Sequence, residues 1–232
     1  MNFHNELEKL GIVLDERKTK QFEVYYQKLI EVNQVMNLTA ITEKEEVYRK
    51  HFLDSLELAR VLDNESGYTL CDVGSGAGFP SVPLAIVFEK VSVTIIDALN
   101  KRITFLNDLI QKLEISNVKA IHARAEDFAK EKREFFDVVT ARAVARLNVL
   151  AELCLPLTKV GGLFVAMKGS SGKEELLEAK KAIEQLGGKI QEVVEFTLPD
   201  EEERRQILII QKIKTTPFKF PRNFNKIKEK PL

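Results

Sequence analysis

The sequence predicts an α/β protein: a doubly wound, seven-stranded, mostly parallel sheet, preceded by an N-terminal helical extension. Three observations carry this. Helical periodicity fills the first third of the chain. Short apolar runs then alternate with helical stripes, and at the first strand-to-helix junction Asp72-Val73-Gly74-Ser75-Gly76-Ala77-Gly78 holds three alternating glycines. Alternating strands and helices imply a parallel sheet covered on both faces. Glycines at such a junction let the backbone turn sharply and a ligand approach the main chain.

The helical extension comes first. From Asp15 onward Phe22, Tyr25, Tyr26, Leu29, Val32 and Met36 recur at three- and four-residue steps, with Asn37 as the stop. Thr42 and Glu45 have capping-box spacing, and Phe52, Leu56, Ala59 and Leu62 continue an apolar stripe, so a second long helix is expected to end near Asp63. Strands are expected at Thr69–Val73, Val91–Ile96, Val118–His122, Phe136–Thr140, Leu163–Met167, Lys189–Leu198 and Gln206–Ile213. Helical stripes lie at Ile103, Leu106, Ile110 and Leu113, and again from Leu176 to Leu186 before Gly187-Gly188. The link from Leu198 to Arg205 has no room for a helix, which makes the last two strands an antiparallel pair. The expected organisation is a helical extension over 1–66, a core over 67–214 and a basic tail over 215–232, in one structural domain.

Composition narrows the function. Of 232 residues, 35 are basic and 35 acidic, so no global field draws the protein to a polyanion, and any nucleic-acid site is a local patch. Cys71 and Cys154 are the only cysteines; they cannot supply a four-thiolate zinc site or a disulfide framework and read as buried fillers. No metal is expected, and a reducing cytoplasm is the expected location. The longest apolar stretches, Val82 to Phe88 and Leu163 to Met167, are far short of a membrane span. From Gln211 to Leu232 seven basic residues face the single acidic Glu229, interleaved with Phe218, Phe220 and Phe224. That composition suits phosphates and bases, or else a frayed, solvated end.

The glycine loop limits the ligand. Phe79 stands where a dinucleotide fingerprint needs its third glycine, and no Lys-Ser or Lys-Thr pair follows to cradle a triphosphate. Asp97 ends the second strand 19 residues beyond Gly78, where a carboxylate accepts hydrogen bonds from ribose hydroxyls. Glu126, in Arg124-Ala125-Glu126-Asp127, follows the third strand at the same sheet edge. Arg142 and Arg146 sit in a stretch without acidic residues, and Lys168-Gly169 follows the fifth strand, a cationic edge able to guide an anionic polymer; Lys101-Arg102 can add phosphate contacts. His51 and Asp54, three apart on one helical face, have the spacing of a hydrogen-bonded pair.

The Asp72 to Gly78 loop resembles that of class I S-adenosylmethionine-dependent methyltransferases. The wider chain resembles the bacterial small-subunit (16S) ribosomal RNA guanine-N7 methyltransferases, the glucose-inhibited division protein B family. The likeness rests on Asn37-Leu38-Thr39, His51-Phe52-Leu53-Asp54-Ser55, the loop through Phe79-Pro80, Asp97 with Lys101-Arg102, Ala141-Arg142-Ala143-Val144-Ala145 and Lys168-Gly169. It implies S-adenosyl-L-methionine as cofactor, contacted by Gly74, Phe79, Ala125, Glu126 and Arg142, with Gly76, Gly78 and Asp97 completing the pocket. It also implies 16S ribosomal RNA or the small subunit as partner, with Arg102, Arg142, Arg146, Lys168 and Arg222 as candidate RNA contacts. No catalytic residue is assigned, and a monomer is expected. Two other readings remain: a small-molecule methyltransferase whose helical extension is a lid, and an RNA-binding module with a vestigial nucleoside pocket. An RNA enzyme weakens steeply with salt, a small-molecule enzyme does not, and a binding module transfers no methyl group.

Overall fold

A computed structural model describes residues 1–232. Its seven strands are β1 (Thr69–Val73), β2 (Ser92–Asp97), β3 (Val118–His122), β4 (Phe136–Arg142), β5 (Thr158–Lys168), β6 (Gly188–Thr197) and β7 (Arg204–Lys212), in the spatial order β3-β2-β1-β4-β5-β7-β6. β1 to β5 run parallel, while β7 is antiparallel to both β5 and β6. The expected antiparallel pair is present, and β7, not β6, lies beside β5. Because side chains alternate along a strand, Leu70 and Val165 face one core while Cys71, Phe164 and Ala166 face the other.

The first core is closed by the N-terminal region with α5 (Ser81–Val87) and α6 (Asn100–Leu113). The second is closed by α7 (Ala125–Glu131), α8 (Leu147–Cys154), α9 (Gly172–Gln185) and α10 (Phe224–Glu229). In the N-terminal region α1 spans Phe3–Lys9 and α2 spans Glu16–Met36. The Asp15 side chain accepts from the Lys18 N–H at 2.7 Å, and Asn37 ends α2 in a left-handed conformation, φ 48°.

The second long helix is helical without a gap from Lys44 to Arg60 but changes its hydrogen-bonding type along the way. α3 (Lys44–Val47) runs into a π-helical turn over Tyr48–Leu53, then α4 (Asp54–Leu56), then a 3-10 turn over Glu57–Arg60. Thr42 does not cap it: Glu43 holds the N-cap position without a side-chain bond, and the Thr42 carbonyl accepts from the Tyr26 hydroxyl. The π turn has a visible cause in tertiary contact, since the Arg142 guanidinium, reaching over from β4, donates to the carbonyls of Lys50 and His51 there.

The basic tail is folded onto the core, so its reading as a frayed end does not hold. Just before it, the fully buried Lys212 donates to the Leu155 carbonyl at 2.6 Å and to Thr216 Oγ1, with the Glu134 carboxylate 3.2 Å away; burial lowers its pKa to about 8. Arg133 donates to the carbonyls of Thr216, Pro217 and Phe220. Beyond them, Phe220 and Ile227 are buried, and Arg222 forms a bidentate pair with Glu152, whose side chain is fully buried in α8. Removing one partner of such a pair strands the other charge away from water. Arg222→Ala is therefore expected to lower stability by about 3 kcal/mol in urea unfolding, with Arg222→Lys intermediate because an ammonium cannot reproduce the fork.

Candidate functional site

β1 has β2 on one side and β4 on the other, so the chain reverses its direction of travel across the sheet there, and a crevice opens at the carboxyl ends of the strands. The glycine loop lines this crevice. Gly74 has φ 76° and donates to the Ile96 carbonyl at 2.8 Å; a Cβ there would meet Val144 Cγ2 at 2.9 Å. Gly78, φ 103°, faces the opposite way, and a Cβ would sit 2.7 Å from the Tyr25 hydroxyl. Both positions require a residue without a side chain. Tyr25 donates to the Ala77 carbonyl at 2.7 Å, so α2 fixes the loop from behind.

Below the loop lies a cavity of about 330 Å³, within the range of small-molecule sites. Gly74, Asp97, Ala125, Glu126 and Arg102 line it, together with apolar atoms of Leu99, Ala143, Val144, Leu153 and Phe224. Asp97 and Glu126 are both buried. Asp97 accepts from the backbone of Leu99 at 2.8 Å and of Gly76 at 3.3 Å, and from Arg102 at 3.2 Å. In the loop above, Ser75 Oγ is buried without a partner; so is Asp72 Oδ1, whose carboxyl is pushed up to about 7 by burial. Two buried carboxylates, a glycine loop that a Cβ would fill and an apolar slot fit a nucleoside cofactor such as S-adenosylmethionine.

Of the residues expected to form the pocket, Gly76, Gly78, Phe79 and Arg142 do not line this cavity. Phe79 stacks between His51, 4.5 Å between ring centres, and Tyr25, 5.4 Å. Arg142 turns toward the helical extension, where it pairs with Asp54 at 3.0 Å and bonds Ser55 Oγ at 3.1 Å. His51 and Asp54 are thus joined through Arg142: His51 Nδ1 lies 3.3 Å from an Arg142 nitrogen and Nε2 2.7 Å from Thr39 Oγ1. Burial and the neighbouring guanidinium lower the His51 pKa to about 4, leaving a neutral ring with both nitrogens engaged.

A second cavity, about 320 Å³, adjoins the first. Ala143, left-handed at φ 56°, lines both. Asp54, Arg142, Lys168, Glu175 and Arg205 supply its charged wall. The cationic edge read from sequence is largely neutralised inside the fold. Lys168 pairs with Glu175 at 2.8 Å and donates to the Ala145 carbonyl, Arg146 pairs with Glu178, Arg102 with Asp97 and Arg222 with Glu152. The acidic partners Glu175 and Glu178 come from α9, too distant in sequence for any local motif to announce them. Of the apolar lining that motifs missed, only Phe224 had a signal, as an aromatic residue in the basic tail.

The model of the family described as rRNA small subunit methyltransferase G (GidB) matches residues 18–207. The chain belongs to this family. Ribosomal RNA small subunit methyltransferase G of Bacillus cereus is 56% identical over 222 residues, covering 95% of this chain and 93% of that protein. The protein of the same name from Bacillus anthracis is also 56% identical over the same coverage. Among solved structures, a SAM-dependent methyltransferase from Aquifex aeolicus superposes with a TM-score of 0.56 at 17% identity, covering 75% of this chain and 96% of that one. The Methanococcus jannaschii fibrillarin pre-rRNA processing protein gives 0.52 at 22% identity, covering 66% and 70%. These two support the fold: the sheet is that of the Rossmann-like methyltransferases.

Two outcomes follow from the geometry. Gly74→Ala combines a strained φ with contact against Val144, and calorimetry is expected to register at least about tenfold weaker S-adenosylmethionine binding. His51 titrates lower folded than unfolded, so its contribution to stability is complete above about pH 6.5 and is lost as pH falls toward about 4. Urea midpoints across that window should therefore decline less steeply in His51→Gln.

Proposed function

We propose that this chain transfers the methyl group of S-adenosyl-L-methionine to N7 of a guanine in small-subunit (16S) ribosomal RNA. The observation that carries this reading is the pair of adjoining cavities with Ala143 as their common wall, one suited to a nucleoside and the other edged with charged groups. Gly74, Ala125, Asp97 and Glu126 would hold the cofactor against Leu99, Val144, Leu153 and Phe224. Gly76 reaches it through its bond to Asp97, while Gly78, Phe79 and Arg142 set the shape of the loop and its roof. When bound, the cofactor supplies a methyl group activated by a sulfonium.

Guanine N7 carries a lone pair and no proton, so the chain needs no general base. Its task is alignment, which can contribute on the order of 7–11 kcal/mol. Methylation leaves positive charge on the guanine ring, and the carboxylates of Asp54 and Glu175 in the second cavity are suited to it. Hydrogen bonds and the Lys168 ammonium hold the Glu175 carboxyl below its ordinary range against the opposing effect of burial. His51, neutral and bonded at both nitrogens, positions Phe79 and Arg142 and moves no proton.

Labelled S-adenosylmethionine incubated with undermethylated small subunits tests the reading, with the product mapped by nuclease digestion. Label on N7 of a guanine is expected; transfer to an exocyclic amine, to a small molecule or to nothing would overturn it. Single-turnover rates at saturating cofactor and RNA are expected to be nearly flat from about pH 6 to 9, in His51→Gln as in the unsubstituted protein. A log-linear rise that disappears in His51→Gln would show a base at work.

A further inference from the structure

The end of the sheet opposite the cofactor crevice carries a second feature. Phe135 precedes β4 and is 50% exposed; Phe218, beyond the end of β7, is 95% exposed. Each ring has a cation on it: the Lys132 ammonium lies 4.9 Å from the Phe135 ring centre and the Arg133 guanidinium 5.2 Å from that of Phe218. Neither Lys132 nor Arg133, nor the nearby Lys214 and Lys219, has a carboxylate partner, although most of the other arginines have one. The intervening Glu134 is occupied by Lys212.

The segment is also held in place. Arg133 donates to three carbonyls of the crossing chain, at Thr216, Pro217 and Phe220, and the Thr216 N–H donates to Glu134 at 2.6 Å. Phe218 is therefore presented on an anchored loop, not on a free end. Of the three phenylalanines in the basic tail, Phe220 is buried and Phe224 lines the cofactor cavity, leaving Phe218 as the ring open to a partner.

We propose that this edge is a docking surface for single-stranded RNA, in which bases stack on Phe135 and Phe218 and the backbone phosphates meet Lys132, Arg133 and Lys219. Exposed aromatic rings interleaved with unpaired cations match both parts of a single strand, the flat bases and the charged backbone. A protein partner would need the apolar surface but not the uncompensated charge; a lipid surface would need the charge but not the anchored, separate rings. The surface lies roughly 20 Å from the crevice along β4, so it grips RNA at a second point, away from the reacting base. This rests on the ribosomal RNA reading above for its substrate but is measured by binding alone.

The test uses the full chain and a labelled oligouridylate, with fluorescence anisotropy at several salt concentrations. Phe135→Ala/Phe218→Ala should weaken binding at least about tenfold, with cofactor affinity at its original value in calorimetry. Lys132→Gln/Lys219→Gln should make the logarithmic salt slope shallower by about 1.4. The KM for ribosomal subunits should rise in both. Unchanged oligouridylate binding in the aromatic variant, or loss of binding only to phosphatidylglycerol vesicles, would overturn the proposal. A failure of the unsubstituted protein to methylate ribosomal RNA would instead strike the functional reading and leave these binding results standing.

Discussion

The Arg142 guanidinium joins the two parts of the molecule. It sits at the last residue of β4, yet its donors go to the carbonyls of Lys50 and His51, to Ser55 Oγ and to the Asp54 carboxylate, all in the helical extension. Burial pushes the Asp54 carboxyl up, and the guanidiniums of Arg142 and Arg205 oppose that shift. A buried carboxylate next to a planar fork is stable only when the fork is held in register. The same reach meets the carbonyls of the π turn and, after burial, adds to what keeps His51 neutral beside Phe79. The position of the cofactor loop therefore depends on a contact across about ninety residues of sequence.

Around that contact the two sides of the loop are fixed by different means. On the helical side, aromatic stacking and the Tyr25 hydroxyl leave no room for a side chain at Gly78. On the crevice side, Val144 leaves none at Gly74. Ala143, in a conformation costly for a residue with a Cβ, turns the chain from β4 between the two cavities. Strained backbone of this kind persists where the surroundings over-determine it, and functional sites are a common place for it.

The charges tell a related story. With equal numbers of acidic and basic residues, the fold pairs most cations near the crevice, so local fields there are short-ranged and oriented. Arg146 and Lys168 are tied to α9, Arg222 to α8. Where cations remain unpaired beside exposed rings, at the far edge, the field is available to an outside partner.

Legible from the residues alone were the α/β class, six of the seven strands to within a few residues at their ends, the antiparallel final pair and the glycine loop with its acidic partner at Asp97. Each rests on local chemistry: strand periodicity of two, glycines at a strand-helix turn and a link too short for a helix. β5 starts five residues before its expected start, across Gly161-Gly162, because pairing to β4 and not local hydrophobicity sets its beginning. Only the tertiary contacts decide that the second helix widens into a π turn, that Arg142 faces the helical extension, that the basic tail packs on α8 and that α9 neutralises the cationic edge. These depend on ion pairs and hydrogen bonds between residues far apart in the chain. No periodicity or motif encodes such pairs, because each partner alone is an ordinary charged residue until the fold brings the other within reach.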